Sequence, residues 1–126
     1  MRYLLDTHVA LWILQGADIP KRVTEILDDT STEIFVSITS AWEVAIKIST
    51  GKLMYTGGVS AFLDDIELNG FKLLDICKSH IKLVENLEYF HRDPFDRLLI
   101  ASAITENMIF ISADENVPKY NVNWLW

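Results

Sequence analysis

Four short apolar runs recur along the chain, Tyr3-Leu4-Leu5, Ile34-Phe35-Val36-Ser37, Phe71-Lys72-Leu73-Leu74 and Met108-Ile109-Phe110-Ile111, with segments of helical length and spacing between them. Runs of this length, rich in branched and aromatic residues, read as buried strands. Strands that alternate with helices need crossover connections, which predicts an α/β fold: a central, mainly parallel β-sheet flanked by helices on both faces. The expected helices cover Val9 to Leu14, Pro20 to Leu27, Ser40 up to Gly51, Val59 to Leu68, a short amphipathic stretch marked by Ile81, Val84 and Leu87, and Asp93 to about Asn107. Two of them carry strong start signals. Ser40-Ala41-Trp42-Glu43 has the Ser-x-x-Glu form of a capping box, and Asp93-Pro94-Phe95-Asp96 puts Asp at the cap, Pro at the first helical position and an acid in the first turn. Val122 to Trp126 is a candidate last strand.

At 126 residues, half of them hydrophobic and spread along the whole length, the sequence predicts one ordered domain over 1–126 with no linker. No apolar stretch approaches the roughly 18 to 20 residues needed to span a bilayer. Asp6 comes too early for a signal-peptide core, and Cys77, the one cysteine, has no intramolecular partner, so the expected compartment is the cytoplasm. Cys77 follows an apolar run and reads as a packed side chain. The formal charge of −7 argues against a general nucleic-acid coat protein, since non-specific phosphate binding needs Lys and Arg. A nuclease remains open, because bound metal ions and a few local bases can supply the attraction.

The strands of an open parallel sheet end at one common edge, where the following helices begin. Asp6 and Asp114 sit just past strands, and Glu43 and Asp96 read as first-turn residues, so all four belong to that edge. For the last pair the lengths agree. From Asp96 to Asn107 a helix descends about 17 Å at its rise of about 1.5 Å per residue. From Ile109 to Asp114 an extended chain climbs back about 17 Å at about 3.3 Å per residue. Four carboxylates in one cleft repel one another unless protons or a hard cation intervene. Oxygen-only ligands favour Mg²⁺ or Mn²⁺ over Zn²⁺, and such an ion suits hydrolysis of a phosphate ester.

Structural readings compete with these. Glu43 and Asp96 also make sense as acids favouring a helix N-terminus, and Asp6 and Asp114 as turn residues. His8, His80 and His91 show no metal-ligand spacing to one another and read as ordinary polar side chains. Asp28-Asp29 and Asp64-Asp65 read as solvated helix ends or faces, and Trp12 and Trp42 as core.

The segments Leu4-Leu5-Asp6-Thr7-His8-Val9-Ala10-Leu11-Trp12, Ser37-Ile38-Thr39-Ser40-Ala41-Trp42-Glu43, His91-Arg92-Asp93-Pro94-Phe95-Asp96-Arg97-Leu98-Leu99-Ile100-Ala101 and Ile111-Ser112-Ala113-Asp114 occur in this order over nearly the whole chain. In this the sequence resembles PIN domains, and among them the VapC toxins of bacterial type II toxin-antitoxin pairs. The resemblance implies a PIN-like fold and an endoribonuclease dependent on Mg²⁺ or Mn²⁺, with Asp6, Glu43, Asp96 and Asp114 matching the acidic quartet. Thr7 and Ser112 match positions where a hydroxyl supports the metal cluster, and Asp93 lies in the third motif but is explained by its capping role. The resemblance also implies a homodimer and a cognate antitoxin. Lys47, Lys52, Arg92 and Arg97 are candidate contacts to RNA phosphates. Two alternatives stand against the nuclease: a receiver-like Mg²⁺-binding signalling domain and a catalytically inactive PIN-like interaction module. A receiver carries paired acids after the first strand and a Lys after the last, whereas here Asp6 is followed by Thr7 and no Lys adjoins Asp114.

Overall fold

The computed structural model describes residues 1–126. Five strands, β1 (Arg2–Leu5), β2 (Glu33–Ser37), β3 (Lys72–Leu74), β4 (Ile109–Ile111) and β5 (Trp124–Leu125), form one sheet in the order β3-β2-β1-β4-β5. Every neighbouring pair is parallel, so the sheet is wholly parallel and the candidate last strand takes its place beside β4. The helices are α1 (Thr7–Leu14), α2 (Lys21–Asp28), α3 (Ile38–Ser49), α4 (Gly58–Leu68), α5 (Lys78–Asn86) and α6 (Pro94–Glu106). None is long and apolar enough to cross a membrane.

Strands β1, β2 and β4 are apolar on successive residues because both faces of the sheet are covered there. Tyr3, Leu5, Ile34, Val36 and Ile111 meet Val9 and Ala10 of α1, Val23 of α2, Ala41 and Val44 of α3, and Phe62 and Ile66 of α4 in one buried cluster. The intervening residues Leu4 and Phe110 belong to a second cluster with Leu99, Ile100 and Ala103 of α6 and with Leu87, Met108, Val117 and Tyr120. Strand β1 thus supplies both cores from three consecutive residues.

The structure departs from the sequence reading at four places. Helix α3 begins at Ile38, directly after β2, with the Ser37 hydroxyl accepting from the Thr39 N–H at 3.0 Å. Ser40 is therefore no cap: it lies inside the helix and its hydroxyl meets that of Thr7 at 2.8 Å, leaving Glu43 in the second turn. Trp42 is 56 % exposed, outside the core, with its ring edge-on to Phe95 at 4.9 Å between centroids. Cys77 is exposed, because the strand before it ends at Leu74 and the cysteine stands at the start of α5.

The fourth departure is Arg97, expected as a phosphate contact. It is buried, and its guanidinium donates to the carbonyl oxygens of Glu88 (2.8 Å), Val84 (3.1 Å) and Leu87 (3.0 Å). The Tyr89 ring lies 3.9 Å from its Cζ. Val84 O also accepts the Leu87 N–H, while the Leu87 and Glu88 carbonyls lie just past α5, so the Arg97 guanidinium fastens the end of α5 and the turn after it from α6 and is committed to those contacts. At the other end of α5, the fully buried His80 accepts the Cys77 N–H on Nδ1 at 3.2 Å and meets Glu106 Oε2 through Nε2 at 2.9 Å. Replacing Arg97 with Met leaves three carbonyls without that donor, which predicts a loss of about 3 kcal/mol in urea unfolding. A change under about 0.5 kcal/mol, the range of an ordinary surface substitution, would show that the guanidinium is not what fastens α5.

Candidate active site

Strand order reverses at β1: β2 and β3 extend the sheet to one side, β4 and β5 to the other. The crevice outside the carboxyl ends of β1 and β4 is where such sheets bind ligands. Asp6 follows β1 there, and its backbone N–H bonds to Ile111 O at 2.9 Å, tying it to the end of β4. The Asp6 side chain caps α1: Oδ1 accepts from the Thr7 N–H at 2.8 Å, and Oδ2 accepts from the Ser112 hydroxyl at 2.6 Å. Ser112 Oγ in turn accepts from the Asp114 N–H at 3.1 Å. The Thr7 hydroxyl faces Ser40 and reaches none of the acids.

Asp6, Asp96 and Asp114 line one small cleft together with His91. Carboxylate oxygens of Asp96 and Asp114 and a ring nitrogen of His91 lie within 4.8 Å of one another. Glu43 is buried beside this group, close enough for its charge to act on both Asp6 and Asp96. Four carboxylates from four segments of the chain are thus gathered at one edge. Asp93 stands apart in role: its Oδ1 accepts from the Phe95 N–H at 2.8 Å and caps α6. Of the other candidate bases, Lys47 donates to Glu43 Oε2 at 2.6 Å, whereas Lys52 and Arg92 are exposed and pair with none of the acids.

The electrostatics show a cluster short of positive charge. Burial, then the charges of Asp6 and Asp93, push the Asp96 carboxyl up from 3.8 to about 7. Burial also raises Asp6, against the opposing effect of its bonds from Ser112 and Thr7. At Asp114 burial acts upward, but the His91 and Asn116 hydrogen bonds and the nearby histidine charges outweigh it, holding the group below the usual range. Glu43 Oε1 is buried with no hydrogen-bond partner. Three carboxylates lining one cleft, one of them driven toward protonation, fit a divalent cation bound among oxygen ligands.

His91 is the site residue that the sequence reading passed over. Its Nε2 meets Asp114 Oδ2 at 2.6 Å, and its Nδ1 meets the Tyr120 hydroxyl at 3.0 Å; that hydroxyl accepts the Phe90 N–H at 3.1 Å. A carboxylate held in its charged form needs a donor opposite it, so Nε2 carries the proton and His91 orients Asp114 rather than offering a lone pair to a metal. Comparing histidines only with one another hid it. The usable signal was its place two residues before the cap of α6, at the edge where the acids collect. A wider groove at the opposite ends of the strands, lined by Met1, Tyr3, Ile26, Ile109 and Trp124, contains none of these acids.

The family model for the PIN domain matches residues 3–123. Among solved structures the chain is similar to VapBC2 from Rickettsia felis bound to a DNA fragment from their promoter, with a TM-score of 0.76 and 18 % identity over 99 % of this chain and 98 % of that one. It is also similar to DNA-bound VapBC from Salmonella typhimurium (TM-score 0.70, 12 % identity, 99 % and 97 % covered). A third is VapBC-1 from nontypeable Haemophilus influenzae (TM-score 0.68, 19 % identity, 99 % and 97 % covered). At these identities the likeness is one of fold. No curated protein matches the sequence.

The raised Asp96 gives a pH dependence with a definite sign. Between about pH 4 and about 7 the folded, metal-free chain keeps a proton on Asp96 that the unfolded chain has released, so stability falls as pH rises through that window. Asp114, shifted the other way, contributes below it. Melting temperature measured with a chelator should therefore drop from about pH 5 to about pH 7.5, and Asp96→Asn should flatten the slope. An unchanged slope in that variant would place the titrating group elsewhere.

Proposed function

The chain belongs to the PIN domain family, and on that footing we propose that it is a divalent-metal-dependent endoribonuclease, the toxin of a VapBC-type toxin-antitoxin pair. In this reading residues 1–126 are a single PIN domain, a homodimer in the cytoplasm, restrained by a cognate antitoxin. The observation that carries the catalytic part is the convergence of Asp6, Glu43, Asp96 and Asp114 on one edge of the sheet, with Asp6, Asp96 and Asp114 lining one cleft and Glu43 buried beside it. The named solved structures support the toxin part, being VapBC proteins that this fold matches over nearly its full length.

Asp6, Asp96 and Asp114 would hold Mg²⁺ or Mn²⁺ in the cleft, with Glu43 completing the charge around it. Bound there, the ion supplies Lewis-acid polarisation of a phosphoryl oxygen and lowers the pKa of water. The chain's own groups prepare the site. Ser112 and the Thr7 N–H fix both oxygens of Asp6, and His91, backed by Tyr120, fixes Asp114. Held rotamers keep ligand oxygens converged before the substrate arrives, which is the part of catalysis that positioning provides. An acidic cleft in an acidic chain also suits an inhibitor that presents Arg or Lys and buries apolar residues against the helices.

The direct test is cleavage of a mixed RNA substrate with Mn²⁺ or Mg²⁺ by the native chain and by Asp6→Asn. The amide keeps shape and removes charge, so cleavage should fall by orders of magnitude, as it should for Asp96→Asn and Asp114→Asn. Near-native cleavage by Asp6→Asn with EDTA present would falsify the metal mechanism. Asp93→Asn, which preserves a good cap, should stay near normal. Mn²⁺ at a hundred times its Kd should add about 2.7 kcal/mol to the folded state. His91→Ala should weaken Mn²⁺ binding by roughly 10- to 100-fold, read by paramagnetic resonance of the free ion. Unchanged Mn²⁺ affinity in that variant would remove the orienting role assigned to His91.

A further inference from the structure

The acid cluster already contains a cation of its own. Lys47 lies one helical turn after Glu43 on α3, and its Nζ donates to Glu43 Oε2 at 2.6 Å. Glutamate–lysine pairs at this spacing are common on helix surfaces and contribute little there. This pair differs because Glu43 is only 2 % exposed, with its second oxygen, Oε1, buried and unpartnered. A buried carboxylate requires a compensating charge, and breaking such a pair leaves that charge uncompensated.

The cluster is also divided in space. Asp6, Asp96, Asp114 and His91 line the cleft between β1, β4 and α6, whereas neither Glu43 nor Lys47 lines it. Lys47 stands to one side, near enough for Asp93 and Asp96 to act on its charge, with about a third of its side chain open to solvent. One half of the cluster has three carboxylates and no lysine or arginine, and the other has one carboxylate with a lysine seated on it.

We propose that Lys47 takes the place that a second divalent ion would occupy beside Glu43, so that the chain binds a single divalent ion, in the Asp6–Asp96–Asp114 cleft. The inference rests on the metal-dependent nuclease reading and decides how many ions that site takes. An ammonium supplies one positive charge and three N–H donors without any affinity requirement for metal. A divalent ion approaching Glu43 would meet that charge at close range, and like charges at such separations repel strongly where water is scarce. The open side of the ammonium can also donate to a phosphate oxygen. Glu43 thereby positions a cation instead of ligating one.

Mn²⁺ binding to the intact chain at about pH 7.5, counted by calorimetry and by paramagnetic resonance of the free ion, tests this. The native chain should saturate with one ion. Lys47→Met keeps the length of the side chain and removes its charge, so it should take a second ion, on Glu43. Glu43→Gln should still bind one ion, with affinity within a few-fold of native, while losing RNA cleavage. Two ions on the native chain would overturn the proposal and leave the nuclease reading standing. So would a single ion on folded Lys47→Met, or loss of all binding in folded Glu43→Gln, which would make Glu43 a ligand of the cleft ion. Absence of saturable Mn²⁺ binding by the native chain would overturn the metal-dependent reading and this proposal with it. The native count needs no variant to fold, so the proposal stays open to refutation even where Lys47→Met does not.

Discussion

Strand β1 is hydrogen-bonded in parallel to β2 on one side and β4 on the other, and the remainder of the architecture depends on that double pairing. A strand paired on both sides and covered on both faces has to be apolar throughout, and Tyr3, Leu4 and Leu5 meet that demand, feeding two separate cores. The pairing also fixes the height of the next residue. Asp6 leaves the strand where the chain order reverses, with its own N–H bonded to the end of β4. A carboxylate is thereby placed in the crevice while the hydrophobic core fills directly beneath it.

That placement creates an electrostatic problem, and the structure answers it locally. Burial raises Asp6 and, with the charges of neighbouring carboxylates, drives Asp96 to about 7. Three of the four acids have a specific donor. The Ser112 hydroxyl and Thr7 N–H serve Asp6, His91 serves Asp114, and Lys47 serves Glu43. Asp96 alone has no such partner among the side-chain hydrogen bonds, and its carboxyl is pushed up to about 7.

What the sequence made legible follows the range of the forces involved. Strand runs, helix lengths and the Asp93-Pro94 start are local, and the observed elements fall within a few residues of them. Asp96 and Asp114 could be matched in height because helix rise and strand rise are fixed by backbone geometry. The cap of α3 was misplaced by three residues, since Ser37 and Ser40 are chemically alike and only the absence of a loop after β2 chooses between them. Trp42, Cys77 and Arg97 failed for a different reason. Their burial is set by partners distant in sequence, such as the Val84, Leu87 and Glu88 carbonyls for Arg97, and no spacing rule encodes those. His91 was hidden for the same reason, its partners lying 23 and 29 residues away.

Arg97 is chemically adjacent to Asp96 yet does no work in the cleft, and its actual contacts explain why an arginine belongs there. By holding the last carbonyls of α5 it fixes the segment that continues through Tyr89, stacked on its guanidinium, and Phe90, whose N–H bonds to Tyr120. The next residue is His91, bonded to the same Tyr120 and to Asp114. A segment with an exposed Tyr89 and a partly exposed Phe90 has limited apolar burial of its own to order it. Polar anchors at both ends substitute for that missing core. The guanidinium fork can bond several carbonyls at once from a rigid plane, which a lysine ammonium on a flexible stem cannot reproduce. The order of the Asp114 carboxylate is thus inherited, through His91 and a short loop, from a cation buried one residue beyond Asp96 and facing away from the cleft.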